Sequence, residues 1–355
     1  MPKPVAGDGG GSGPGLPSVA PSAALELAAD LSDSLLFPAV LELDRADAVP
    51  LSHLDALAAA GLYGLAGPPE AGGLGLRQEE ALAVIERLAS GCLTTTFVWL
   101  QHHASVRAVS NADDRLAAEW LRPLCAGEHR AGVAFAGLRR PGPPLLTAEP
   151  VRQGWALSGT APWVTGWSRI SVMLVAARVP AMPGVPVVWL LVDAVEGGGV
   201  SVERLRLEAL DASVTVRATF EGAVVPADRL VAIEPFADWQ GRDAAGLRTN
   251  GCLALGLALR CASLLGATTR PSIERSVAAC RGRLDTAGAG QLPRARAAAA
   301  ELALAAATSL VIETGGGALL LESVAQLLAR QAIFLLVFGQ TAAIKSEQLR
   351  LRAVT

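Results

Sequence analysis

A chain of 355 residues that is 51% hydrophobic, 18% charged and 4% aromatic carries enough apolar surface for a large core and two or three domains. Its formal charge is −3, from 30 basic and 33 acidic side chains with no basic stripe, so nothing supports a nucleic-acid partner. Five widely spaced cysteines (Cys92, Cys125, Cys252, Cys261 and Cys280), without a CxxC, argue against a disulfide framework or a zinc site and read as reduced core residues of a cytoplasmic protein.

Residues 1–22, "MPKPVAGDGGGSGPGLPSVAPS", are rich in Gly, Pro and Ser and lack an apolar h-region, which predicts a disordered tail and no signal peptide. The GxGxxG-like "GDGGGSG" has neither a strand before it nor a helix after it, so it carries no nucleotide-binding meaning. Residues 23–130 show helical periodicity in "LSHLDALAAAGLYGLA", "EEALAVIERLASGCLTTTFVWLQHHASVRAV" and "DDRLAAEWLRPLCAGE", with the loop "GPPEAGGLGL" after the first. Residues 131–245 change texture. "RAGVAFAG", "GWALSGTAPWVTG", "RISVMLVAARV", "VPVVWLLVDA", "VSVERLRL" and "TVRATFEGAVVP" are short, Val-rich and punctuated by Gly and Pro, which predicts an antiparallel β-barrel or sandwich.

Residues 246–355 return to helices with wide apolar faces, as expected of a bundle. "ELALAAATSLVIE" is closed by Glu301 and Glu313, and "QAIFLLVFGQ" holds seven apolar residues between Gln331 and Gly339. Both fall short of the roughly 20 residues of a membrane span, so buried bundle helices and no membrane partner are expected. The order is helical, then β, then helical, without a βαβ rhythm: an α+β multidomain chain and no Rossmann domain.

Within this frame "LAAAGLYGLAGPPEAGGLGL", "GWALSGTAPWVTGW", "TFEGAVVPADRLV" and "TGGGALLLESVAQLLARQA" follow one another in order. Together they resemble motifs of the acyl-CoA dehydrogenase family of flavoproteins, over roughly residues 40–355. The resemblance implies that family's fold, here with a shortened C-terminal bundle. It also implies FAD and oxidation of the CH–CH group of an acyl thioester, held on coenzyme A or on a carrier protein. By that likeness Trp163 shields one face of the flavin and Thr165 hydrogen-bonds near its N5. The backbone of Ala136 and Gly137 meets the ring's pyrimidine side, and Gly315 and Gly316 are further cofactor-binding positions. Read without the family, Trp163 and Thr165 equally suit a packed strand end.

The pattern also breaks. The family's catalytic carboxylate falls on Gly339, whose N–H can still donate to a thioester carbonyl, and the alternative base position falls on Thr249. The glutamine before the double glycine is replaced by Ile312, and the family's R-x-F-G turn survives only as Arg281 or Arg283. Replacement bases to weigh are His102 and His103, whose ordinary pKa of about 6.5 suits proton transfer, and Glu313 and Glu322; for each, a structural role is the plainer reading. Arg139 and Arg140 are candidates for coenzyme A phosphates, with an exposed turn as the alternative. No metal ligands are recognised. Three functions stay open: a flavin-dependent acyl-thioester oxidoreductase; a monooxygenase or oxidase on the same fold; or a non-catalytic subunit. The implied assembly is a homodimer or a hetero-oligomer with a related dehydrogenase.

Overall fold

The computed structural model describes residues 21–353. Residues 1–20, and with them nearly all of the expected N-terminal tail, lie outside the described residues. Six helices come first: α1 (Pro21–Leu31), α2 (Val40–Asp44), α3 (Leu51–Ala59), α4 (Gln78–Gly91), α5 (Leu93–Ser110) and α6 (Asp114–Ala126), with a π-helical turn at Ser32–Leu36. Local chemistry sets their ends. The Glu80 carboxylate accepts the Arg77 N–H at 2.9 Å ahead of α4, and Asp113 accepts the Leu116 N–H at 2.8 Å to start α6. α6 stops at Gly127, whose φ of 74° is left-handed. A Cβ there would also lie 2.9 Å from the Tyr63 ring.

Eight strands follow: β1 (Ala131–Ala134), β2 (Leu146–Val151), β3 (Gly154–Val164), β4 (Val172–Arg178), β5 (Val187–Asp193), β6 (Val200–Arg204), β7 (Val216–Pro226) and β8 (Leu230–Glu234). They form one sheet in the order β6-β7-β3-β2-β4-β5-β8, with β1 beside β4. The sheet is mixed where a purely antiparallel one was expected, because β1 and β2 both run parallel to β4. β4 and β5 are buried almost throughout. Met173, Val175, Val188 and Leu190 pack inside the sheet, while Val172, Leu174, Val187 and Leu191 meet Val106, Leu116 and Leu124 of α5 and α6. This two-sided burial explains their unbroken apolar runs.

The C-terminal part consists of α7 (Phe236–Ala245), α8 (Leu247–Leu264), α9 (Arg270–Thr286), α10 (Leu292–Thr314), α11 (Val324–Val337) and α12 (Ala342–Ala353). One continuous core joins it to the N-terminal helices, from Ala24 and Leu88 through Cys252 and Leu255 to Ala303 and Leu335. α4 and α8 approach closely at Gly256, where a Cβ would stand 2.4 Å from the Glu86 carbonyl oxygen. With the 3₁₀ turn after it, α10 gives a helical stretch from Leu292 to Leu319, longer than the sequence motif suggested and long and apolar enough to cross a bilayer. Half of its most apolar window is buried inside the protein, which is how a core helix spends such a surface. All five cysteines are buried free thiols.

Candidate functional site at the Thr165 and Gly339 corners

β3 ends in an irregularity that sets the geometry of "WVTGW". Ala161 pairs with Ala218 and Val164 with Val216, so Pro162 and Trp163 together oppose Arg217 alone. This β-bulge turns the chain, and Trp163 takes a left-handed φ of 64° that leaves its side chain 55% exposed. Gly137 lies beside the bulge, since a Cβ there would be 3.5 Å from Pro162 Cδ. The structure therefore brings the turn Ala136–Arg139 and Trp163 together.

Thr165 points the other way. Its side chain is only 2% exposed, and its Oγ1 is 3.2 Å from Thr215 Oγ1, which in turn is 2.9 Å from Ser213 Oγ. The next two amides are also engaged: Gly166 donates to the Ser213 carbonyl at 2.8 Å and Trp167 to that of Val214 at 3.1 Å. Trp167 itself is half-buried against the interior of the sheet.

Across the molecule Gly339 follows α11 with φ 59°, in the left-handed region that favours glycine. A Cβ at this point would be 3.0 Å from Asn250 Nδ2. Asn250 follows Thr249 on α8, so the residue meeting Gly339 is an amide, and neither base position of the resemblance holds a carboxylate. Phe334 and Phe338 stack beside this corner, centroids 5.6 Å apart, and both meet the Phe97 ring edge-on at 5.2 and 4.9 Å. Arg296 of α10, fully buried, donates from Nη2 to the carbonyls of Leu335 (2.9 Å) and Phe338 (3.3 Å), closing the end of α11. Burial pulls its pKa down to about 10, so it remains a cation at neutral pH. α5 links the corners: Phe97 touches Phe338 next to Gly339, and the following residue, Val98, lies 3.1 Å from where a Gly166 Cβ would be.

Several sequence candidates have other partners. Arg139 forms a two-pronged pair with Asp243 of α7 at 2.8 and 2.5 Å, so it ties the sheet to α7 instead of offering itself to a phosphate; Arg140 is exposed. Arg281 is paired with Glu86. Glu313 accepts the Gly266 N–H at 2.6 Å, and Glu322 meets Arg45 at 3.2 Å. His102 is a structural staple. Its Nε2 donates to the Leu124 carbonyl at 3.1 Å and its Nδ1 accepts the Ala131 N–H at 3.0 Å, which fixes one neutral tautomer. Burial lowers its pKa to about 3 and holds that of His103 well below the ordinary value, so neither is a base poised for neutral pH. Gly315 and Gly316 are exposed, with nothing within 4 Å of an added Cβ.

Sequence reasoning missed the Thr165–Thr215–Ser213 chain of hydroxyls, Asn250 at the Gly339 corner and the Arg296 cap. "ASVTV" does place two hydroxyls two apart, which on a strand share one face. Nothing in the sequence says which partner strand they meet. Two clefts lie elsewhere: one of about 400 Å³ behind the turn, lined by Gly127, Arg130, Ser168 and Arg169, and one of about 300 Å³ lined by Glu86, Arg248, Arg281 and Asp285.

Helices before and after a mixed sheet in the chain, with α5 touching both the strand-end turn and the bundle corner, give the acyl-CoA dehydrogenase fold. Residues 22–128 match the sequence family described as "Acyl-CoA dehydrogenase, N-terminal domain". The N-terminal part thus carries the sequence pattern of the acyl-CoA dehydrogenase family. A curated relative, (2S)-methylsuccinyl-CoA dehydrogenase of Cereibacter sphaeroides, is 29% identical over 139 residues, 38% of this chain and 25% of that protein. The match thus spans a quarter of that relative's length. Butyryl-CoA dehydrogenase from Megasphaera elsdenii superposes with a TM-score of 0.79 at 16% identity, covering 93% of this chain and 96% of that one. A glutaryl-CoA dehydrogenase from Mycobacterium smegmatis, solved in complex with FADH2, gives 0.76 at 16% identity over 92% and 93% of the two chains. These last two likenesses show the fold.

The family's cofactor can be tested against these residues. Trp163 and the Gly137 turn offer an exposed face, but the Thr165 hydroxyl that the resemblance assigns to the flavin's N5 edge is buried and already bonded to Thr215. As a set they do not fit the ring.

Proposed function

We propose that this chain is the base-free subunit of a hetero-oligomeric acyl-CoA dehydrogenase, in which a related chain brings the carboxylate and the FAD that oxidise the CH–CH bond of an acyl thioester. One observation carries the reading: Gly339 meets the Asn250 amide where a base is expected, and the alternative base position is Thr249, so neither supplies a carboxylate. Proton abstraction needs an acceptor of suitable pKa within hydrogen-bond reach, which an amide and a glycine do not provide. Glu313, Glu322, His102 and His103 are engaged or buried elsewhere, so none is free to substitute. Ile312, Leu319, Leu320, Leu321, Ile333 and Val337 are exposed on adjoining elements, an apolar surface that suits a second chain.

The test is α-proton exchange. The chain alone and the chain co-expressed with a related dehydrogenase are each given a saturated acyl-CoA in deuterated water with an artificial electron acceptor. Neither exchange nor acceptor reduction is expected from the chain alone, and both from the pair. Exchange by the chain alone overturns the reading. A second reading, a self-sufficient flavoprotein, is favoured by exposed Trp163 beside Gly137, and acceptor reduction by the chain alone would establish it.

A further inference from the structure

The turn after β3 is closed from within by a second segment, Leu210–Thr215. Three hydroxyls, Thr165, Thr215 and Ser213, run in a line at 3.2 and 2.9 Å, and none is more than 2% exposed. Two amide bonds, Gly166 to Ser213 and Trp167 to Val214, zip the backbones together on either side of that line. The closing segment is held tightly. Leu210 and Val214 both have left-handed φ, 63° and 45°, which a bulky residue, and above all β-branched Val214, adopts only when its surroundings over-determine it. Those surroundings are visible. Val214 donates to the Asp211 carbonyl at 3.1 Å, Asp211 accepts the Leu207 N–H at 2.9 Å, and Arg204 and Arg206 pair with its carboxylate at 3.1 and 3.0 Å. From the other side Val98 and Ile170 press on Gly166, at 3.1 and 3.3 Å from where its Cβ would be.

We propose that Thr165 is a bolt joining the β3 turn to the Leu210–Thr215 segment, and that in this chain it makes no hydrogen bond to a flavin. A hydroxyl donates one hydrogen. Here two hydrogen bonds tie the three hydroxyls into a buried line, Thr165 itself is only 2% exposed, and the two following amides have internal acceptors. A flavin edge arriving at Thr165 would have to open this buried packing, against a segment pinned by an aspartate and two arginines. The inference stands whether or not the chain needs a partner to react, because it concerns only what Thr165 touches.

The experiment is a double-mutant cycle with an optical readout. Thr165→Val and Thr215→Val keep the shape of the side chain and remove the hydroxyl. Each single variant of the full chain is expected to lower the melting temperature by about 2–4 °C, and the double variant by little more than either one, because both substitutions break the same line. Flavin content after incubation with FAD, and the visible absorption band of whatever flavin binds, are expected to be the same in Thr165→Val as in the parent. A colourless parent with this coupled loss of stability upholds the bolt, as does a yellow parent whose band ignores the substitution. A flavin band that shifts, or flavin that is lost, in Thr165→Val but not in Thr215→Val overturns it. Additive losses of stability in the cycle overturn it as well. Failure of the α-proton exchange test would leave each of these outcomes readable.

Discussion

His102 shows how a residue type that suggests catalysis ends as architecture. Its two ring nitrogens are both used, on Leu124 and Ala131, so it fixes the end of α6 to the start of β1. The His103 ring nitrogens, also buried, have no protein partner, and His53 lies 3.3 Å from the Thr95 hydroxyl. Burial lowers the pKa of all three, to about 3 for His102. The consequence for pH has a definite sign. The unfolded chain takes up protons near the ordinary value of about 6.5 while the folded rings stay neutral, so stability is lost as pH falls from there towards 3. Each fully buried ring costs roughly 1.4 kcal/mol per pH unit over that window. Urea midpoints between pH 7 and pH 5 should fall accordingly. His102→Gln, whose amide retains a donor and an acceptor, should flatten the acid limb; an unchanged limb would mean the native ring already binds a proton. The sequence revealed the histidine pair on a helix, and burial decided its role.

At the scale of elements, spacing foretold most helices and strands, and close approaches foretold fewer. Gly256 reads in sequence as a weak spot within α8, where alanine would gain up to about 1 kcal/mol of helix propensity. In the fold it is the contact with α4: a Cβ would meet the Glu86 carbonyl oxygen at 2.4 Å and Ala89 Cβ at 2.7 Å. Gly256→Ala is therefore expected to destabilise by about 1–3 kcal/mol in denaturant unfolding, the usual cost of overpacking, and a stabilised variant would show that the helices separate freely. The bulge at Pro162–Trp163 is a second case. Alternation along "GWALSGTAPWV" gives a strand, but the extra residue that turns Trp163 outward appears only in the pairing with β7. For the same reason the parallel pairings of β1 and β2 with β4 were not legible, since strand direction depends on where distant segments meet.

At the scale of the whole molecule the exposed apolar side chains are uneven. Leu319 and Leu321 are 84% and 80% exposed on the turn after α10, and Ile312 of α10 and Ile333 and Val337 of α11 are exposed as well. A surface of that kind favours association. Leu319→Ser with Leu321→Ser should change the melting behaviour by less than about 0.5 kcal/mol, as surface substitutions do. The same variant should weaken assembly with the co-expressed dehydrogenase, read as mass by light scattering. Unchanged assembly would place the contact on another face.

By itself the sequence determined the helical–β–helical order, the resemblance to the acyl-CoA dehydrogenases, and the lack of a carboxylate at Gly339 and Thr249, because these follow from local periodicity and from which residues stand in the motifs. Only the tertiary structure decided that Thr165 is bonded inward, that Arg139 belongs to Asp243 and that Asn250 fills the Gly339 corner. A hydrogen bond or a packing contact is a property of two residues: the chain specifies each donor and acceptor, and folding selects which of them meet.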